Sequence, residues 1–299
     1  RSVYTGLLNE RGGYESDLTV MRLAADRFLL VTGSAQAVHD ADWIAKNIPA
    51  DAHVTLTDVT SAYAVLALMG PKSRDILACL TSADLTSDGF PFATIREIDI
   101  GYATGYANRM TYVGELGWEL IVPSEFAVGV YEALHAAGGE DGMIDCGYYA
   151  LEALRLEKGY RAWSRELTPD ITPYEAGLGF AVALDKASGF IGREALAAAK
   201  AKGIPARRIV QFTVDDPSPM LWGGELVLRN GEPVGEVRSA AYGHTLGRSV
   251  ALALIDNASG VDGAFLTGGH FEVDLAGDRF ALTAHLSPAY DPKGLRIKV

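Results

Sequence analysis

Cysteine is almost missing from this chain. There are 2 in 299 residues, Cys79 and Cys146, far apart and without a CxxC pair. Neither a disulfide framework nor a cysteine-built zinc site is written here. The 6 histidines (His39, His53, His135, His244, His270, His285) are scattered, with no HxxxH or HExxH spacing, which removes a histidine-built metal centre. No apolar run approaches the ~18–20 residues that span a bilayer, and no signal-peptide pattern heads the sequence. No GxGxxG follows a strand, and neither GxxxxGK[ST] nor GxSxG occurs, so the commonest nucleotide-binding and hydrolase readings drop out. Basic charge is also short. Lys and Arg number 26 against 38 Asp and Glu, a formal net charge of −12. Such a surface repels phosphate backbones, so nucleic acid is excluded as a general partner.

What is present describes a folded protein with a large core. Apolar residues make up 48% and charged residues 21%, too apolar for a disordered chain. The length accommodates two or three domains of roughly 100–200 residues each. The first residue is Arg1, and "SVYTGLLN" enters a strand pattern at once. This reads as a fragment with its N-terminal part missing.

The opening stretch through "RFLLVTG" reads as a strand meander, with Gly12–Gly13 supplying the positive φ of a tight connection and "RFLLVTG" as a buried strand. "SAQAVHDADWIAKNI" reads as a helix capped by Ser34, with Val38, Ala41, Ile44 and Ile48 on its apolar face. "HVTLTDVTSAYAVLALMG" gives two strands, followed by a helix from about Ser73. Two strands meet at the "GELG" turn, and a helix capped by Ser124 carries Phe126, Val130, Tyr131 and Leu134 as its stripe. "CGYYALEALRLEKGY" and "GREALAAAKAKGIPARR" are further helices. After the Gly/Pro break the pattern turns to strands alternating around Asn-Gly and Gly-Asp turns. The expected class is α+β with an all-β, barrel-like C-terminal domain. The expected divisions are 1–60, 61–203 and 204–299.

Carboxylates and tyrosines at turns are what remain for chemistry. Asp17, just past the glycine turn, could accept a proton from a ligand amine, or serve as a turn aspartate bonding nearby backbone N–H groups. Glu119 sits in the apolar strand "WELIVP". Burying it is costly unless something pairs with it. A ligand with N–H donors would do so, and so would Arg109 or Arg155; an exposed edge glutamate is the other reading. Tyr112 and the pair Tyr148–Tyr149 could stack on a flat ring or pack in a core.

Taken together, "LNERGGYESDLTV", "RMTYVGELGWELIVP", "GYYALEALRLEKGYRAW", "DITPYEAGLGFAV" and "FIGREAL", in this order, resemble the folate-binding aminomethyltransferase family. Its type member is the T-protein of the glycine cleavage system. "AAYGHTLGRSVALALI" and "PAYDPKGLRI" are similar to its C-terminal β-domain. "GYYAL", "LRLEKGYRAW" and "YDPKGLR" look closest to the C-terminal parts of dimethylglycine and sarcosine dehydrogenases.

The resemblance implies a three-domain T-protein-like arrangement and tetrahydrofolate as cofactor. It implies capture of a methylene unit from an N-methyl amine or iminium as 5,10-methylenetetrahydrofolate. FAD would reside only in a missing N-terminal domain, or in a linked flavoprotein subunit, and not in this chain. The family's essential aspartate matches Asp17. Its ligand-contacting tyrosines match Tyr4 and Tyr112, and its pterin-binding glutamate matches Glu119. One position departs. Where T-proteins carry a folate-contacting arginine, this chain has Leu151, followed by Glu152. The alternatives are a stand-alone aminomethyltransferase or demethylase, or a non-catalytic folate-binding regulatory subunit. The partners implied are small molecules, folate and an amine-derived one-carbon donor, with no nucleic acid and no membrane. The expected compartment is a bacterial cytoplasm or a mitochondrial matrix.

Overall fold

The computed structural model describes residues 1–299. Its chain divides into two compact units. One comprises residues 1–4, 18–147 and 293–299; the other comprises residues 5–17 and 148–292. The opening hairpin is shared by both. Strand β1 (Ser2–Leu8) and β2 (Tyr14–Arg22) give their tip to the second unit and their outer ends to the first.

In the first unit, β2 pairs antiparallel with β3 (Phe28–Thr32) from Leu18↔Thr32 to Arg22↔Phe28. Strand β3 is not the buried strand that its apolar run predicts. Phe28 is 51% exposed and the rest of the strand half-buried. The next helix, α1 (Ala37–Lys46), follows a 3₁₀ turn over Ser34–Gln36 that has no side-chain cap. Its expected apolar face is also corrected. Val38 is 85% exposed, while the buried residue of the helix is Asp40, which accepts a hydrogen bond from Thr32. Of the two strands expected over 53–69, only β4 (Tyr63–Met69) forms.

The main sheet of this unit runs in the order β4-β7-β6-β5, with β5 (Ile95–Ile100), β6 (Ala103–Asn108) and β7 (Gly117–Pro123) all antiparallel to their neighbours. Alternation gives each face its own residues. Trp118, Leu120 and Val122 of β7 join Leu68, Ile98, Ile100, Ala103 and Ala107 in one core, which α2 (Ser73–Ala78) and α3 (Ala127–Gly138) cover with Ile76, Leu77, Val130 and Leu134. Phe90 meets Trp118 edge-on at 6.1 Å. The opposite face carries Glu119 and Ile121 from β7 and Tyr106 and Asn108 from β6. Burying about 1.5–3 kcal/mol worth of each large apolar side chain fixes which face is core, and the register then fixes which residues share the other.

The second unit contains α4 (Tyr148–Glu157), α5 (Arg193–Lys202) and a closed six-stranded barrel in the order β10-β11-β8-β13-β12-β9. Its strands are β8 (Arg207–Val214), β9 (Leu226–Arg229), β10 (Glu232–Gly243), β11 (Arg248–Asp256), β12 (Phe271–Leu275) and β13 (Asp278–His285), and the short helix α6 (Gly263–Thr267) lies between β11 and β12. Closure removes every edge strand. Two connections are tight, the first at the expected Asn-Gly pair and the second one residue before the expected Gly-Asp pair, since Asp278 already opens β13. Asn230–Gly231 joins β9 to β10, and Ala276–Gly277 joins β12 to β13, all four residues at positive φ. The barrel core holds Phe212 and Phe271 with ring centroids 5.3 Å apart. Outside it, the end of α4 is fixed to the barrel: the Glu157 carboxylate accepts from the backbone N–H groups of Thr245 and Leu246 at 2.8 and 2.9 Å.

Candidate functional site

In the second unit the sequence Asn9–Gly13 folds into a turn that Asn9 holds from inside. Its Oδ1 accepts from the N–H groups of Arg11 and Gly13, both at 3.0 Å. Its Nδ2 donates to Glu15 Oε1 and to Pro169 O, both at 3.0 Å. The two glycines serve different ends. Gly12 has φ +82°, whereas Gly13 has ordinary φ and is required by space, since a Cβ there would lie 1.9 Å from Pro169 O. Beyond the turn Tyr14 enters β2, and its N–H donates to Thr168 O and Ile171 O at 3.1 and 3.2 Å.

Asp17 is therefore not a turn residue. It lies inside β2, where Tyr14, Ser16 and Leu18 are buried while Glu15, Asp17 and Thr19 take the half-buried alternate positions. Its charge acts on the buried Tyr14 hydroxyl. Burial chiefly, and then Asp17, push that phenol far above the ordinary tyrosine range, while Arg161 pulls it down. Arg161 is held by Ala176 O, to which its Nε donates at 2.9 Å, and by Gly159 O. A carboxylate, a phenol and a guanidinium thus share one electrostatic environment. Sequence reasoning named the aspartate and missed Arg161, which sits in "KGYRAW" with no spacing signal linking it to β2.

In the first unit Glu119 occupies the middle of β7, with Ala67 of β4 on one side and Asn108 of β6 on the other. Asn108 Nδ2 donates to Glu119 Oε2 at 2.8 Å. Burial raises the glutamate's pKa above its ordinary value, and the Asn108 hydrogen bond works against that rise. The Arg109 and Arg155 pairings open from sequence are not made. The Arg109 guanidinium stacks over Trp118, 5.8 Å from the ring centroid, and donates to Phe90 O at 2.6 Å and Val299 O at 2.7 Å. Arg155, in the second unit, pairs with Glu152 and Glu166 at 2.8 and 3.0 Å.

Asn108 is fully buried, and its Oδ1 has no hydrogen-bond partner. Tyr106, two residues earlier on the same face, is raised in pKa by burial and by Glu97, with Arg27 opposing. Tyr112 lies half-buried in the β6–β7 connection, where Thr111 Oγ1 accepts from the N–H groups of Val113 and Gly114 at 3.2 and 3.1 Å. Tyr4 is a half-buried residue of β1. Tyr4, Tyr112 and Glu119 thus belong to the first unit, and Asp17 to the second. Tyr148 and Tyr149 are 75% and 83% exposed, so they are not core.

The fold and these residues define an α+β protein of the aminomethyltransferase type with a closed C-terminal barrel. Residues 1–186 match the GCVT N-terminal domain, and residues 207–291 match the glycine cleavage T-protein C-terminal barrel domain. The chain belongs to the glycine cleavage T-protein family. It is similar to the crystal structure of glycine cleavage system aminomethyltransferase T from Bartonella henselae, with TM-score 0.81 and 29% identity, over 98% of this chain and 76% of that one. It is 39% identical over 298 residues to the mitochondrial pyruvate dehydrogenase phosphatase regulatory subunit of Mus musculus, matching 96% of this chain and 34% of that protein. It is also 39% identical over 313 residues to mitochondrial sarcosine dehydrogenase of Mus musculus, matching 99% of this chain and 34% of the relative. The chain spans about a third of the length of these two relatives. No helix is long and apolar enough to cross a membrane.

Proposed function

We propose that this chain is the tetrahydrofolate-dependent one-carbon transfer part of an N-methyl amine dehydrogenase of the dimethylglycine/sarcosine type. Its 39% identity to sarcosine dehydrogenase, over a third of that protein's length, supports the reading. FAD would belong to a flavoprotein domain or subunit outside this chain.

One observation carries the folate assignment. Glu119 is a carboxylate in an apolar strand, raised in pKa by burial, and it stands beside a buried amide oxygen that has no donor. That pair of acceptors fits a pterin, whose ring edge carries neighbouring N–H and NH₂ donors. Tetrahydrofolate, when bound, supplies the amine that takes up the one-carbon unit. Glu119 would accept from the pterin edge and orient it. Tyr4 and Tyr112 would line the ring. Asp17 would accept the proton released as the C–N bond forms, or stabilise the cation that precedes it. Leu151 stands where T-proteins carry a folate-contacting arginine, so either the folate would be gripped differently here or the ligand would differ.

A second reading is favoured by the 39% identity to a phosphatase regulatory subunit. In that case the chain keeps folate recognition and uses it for regulation.

Binding is tested by thermal unfolding with and without tetrahydrofolate. A ligand of the native state at about 100 times its Kd adds ~2.7 kcal/mol, a rise of several degrees. No rise at saturating tetrahydrofolate removes both readings. A rise without methylene transfer in the presence of formaldehyde selects the second.

A further inference from the structure

Buried polar atoms without partners are rare in folded proteins, because each forfeits its hydrogen bond to water. Asn108 Oδ1 is such an atom, in a side chain that is fully buried. The amide's orientation is fixed by its neighbour. Its NH₂ group faces Glu119 and donates to Oε2 at 2.8 Å, the role an accepting carboxyl oxygen asks of it. The oxygen is then turned away from Glu119. Within the sheet Asn108 is paired with Ile95 of β5 on one side and Glu119 of β7 on the other, and Ile95 has no side-chain donor to give.

The geometry points to Asn108 as a further ligand-recognition residue. Its Nδ2 holds the Glu119 carboxylate in place, and its Oδ1 accepts a second N–H from the same donor-rich heterocycle. This rests on the folate reading and deepens it. The recognised edge is read by two adjacent acceptors, one charged and one neutral, so a ligand with two neighbouring N–H groups is preferred over one with a single donor. Asn108 is also a positioning residue for Glu119, since its hydrogen bond favours the ionised form against the burial that opposes it.

The groups around Glu119 make a pH profile interpretable. Strand β4 brings Ala67 opposite it and has no charged residue. On the same face β5 carries Glu97 and Asp99, the first engaged with Tyr106 and the second accepting from Thr104 at 2.9 Å. Arg27, from the β2–β3 connection, acts at Tyr106. Helix α2 covers the other face.

The experiment measures the Kd of 5-formyltetrahydrofolate, an air-stable analogue, by calorimetry from pH 5 to 8.5. The chain is used as it stands, unsubstituted and with Asn108→Leu and Asn108→Asp. Losing a neutral amide hydrogen bond to the ligand weakens binding roughly two- to tenfold. Asn108→Leu should show that loss at pH 8, and its binding should fall away at a higher pH than in the unsubstituted protein, because Glu119 is then easier to protonate. Asn108→Asp keeps the volume and an acceptor but adds a like charge, so its acid limb should move up further. If the leucine variant does not fold, Asn108→Ala takes its place, read for the same loss of affinity at pH 8. Equal Kd and an unmoved acid limb in the folded variants overturn the role of Asn108 and leave the folate reading standing. No binding by the unsubstituted protein overturns both.

Discussion

Gly13 and Pro169 approach so closely that a Cβ on Gly13 would stand 1.9 Å from the Pro169 carbonyl oxygen. The obstacle is backbone, and the same oxygen accepts from Asn9 Nδ2 at 3.0 Å, so it has little freedom to withdraw. Gly13→Ala should therefore destabilise the protein by about 3 kcal/mol or more, at the upper end of overpacking costs. Gly12→Ala meets positive φ and the Leu196 side chain at 2.8 Å, for an expected loss of about 1–2 kcal/mol. Gly129→Ala, in α3 with nothing within 4 Å, should gain up to ~1 kcal/mol. Urea unfolding of the three variants checks the order.

The back-to-back glycines were readable in the sequence as a turn, but their division of labour was not, because it depends on Pro169, some 156 residues away. The same limit runs through the fold. The barrel was legible because the Asn230–Gly231 turn announces itself locally, and the helices because apolar spacing is local too. Val38, Phe28 and residues 53–58 misled for one reason. Periodicity says which side chains share a face, and not whether anything covers that face. Glu119 was visible as a carboxylate out of place in an apolar strand. Asn108 was not, since only the β6–β7 register puts it opposite that carboxylate. Asp17 was visible through family resemblance, whereas its position inside β2 needed the structure.

Glu119 should weaken the protein that its chemistry serves. Burial raises its carboxyl pKa above the ordinary glutamate range. The folded state thus holds the proton more tightly than the unfolded chain, and stability falls as pH rises from the unfolded value through the folded one, then levels off. Glu119→Gln removes that penalty while leaving an oxygen for Asn108 to bond. The variant should melt above the unsubstituted protein at pH 8, and the gap should close as pH approaches 4. Tetrahydrofolate binding should fall in the same variant. A melting difference independent of pH would show that the burial penalty is not what Glu119 contributes.

Lys158 and Asp291 form an ion pair inside the second unit, with Nζ 2.8 Å from Oδ2 and 2.6 Å from Asp291 O. Their side chains are 4% and 9% exposed. Removing one partner takes the principal counter-charge from a poorly solvated ion, which costs about 3–5 kcal/mol. Lys158→Met should lose that much, and so should Asp291→Asn. The double variant should recover part of the loss, because no unpaired charge remains. Asp291 also raises the Tyr160 hydroxyl, which burial and this carboxylate together push up to about 12. Asp291→Asn should therefore lower the Tyr160 pKa, followed by its phenolate absorbance in a difference titration against Tyr160→Phe.

Asp17 separates the folding role of β2 from the chemical one. It is half-buried, on the alternate face from Tyr14 and Leu18, so Asp17→Asn keeps the strand and the side-chain volume while removing the proton acceptor. If Asp17 accepts the proton released during one-carbon transfer, turnover with tetrahydrofolate should drop by about 10²–10⁴, the usual contribution of a positioned acid–base group. Circular dichroism should be unchanged and tetrahydrofolate binding nearly so, because recognition of the pterin is assigned to Glu119. Asp17→Glu should restore part of the rate, since it restores a carboxylate at a displaced position. The loss should appear in kcat more than in KM, as expected when an interaction is made only in the transition state. Full activity in Asp17→Asn would reduce this residue to the electrostatic neighbour of Tyr14 that the geometry already makes it.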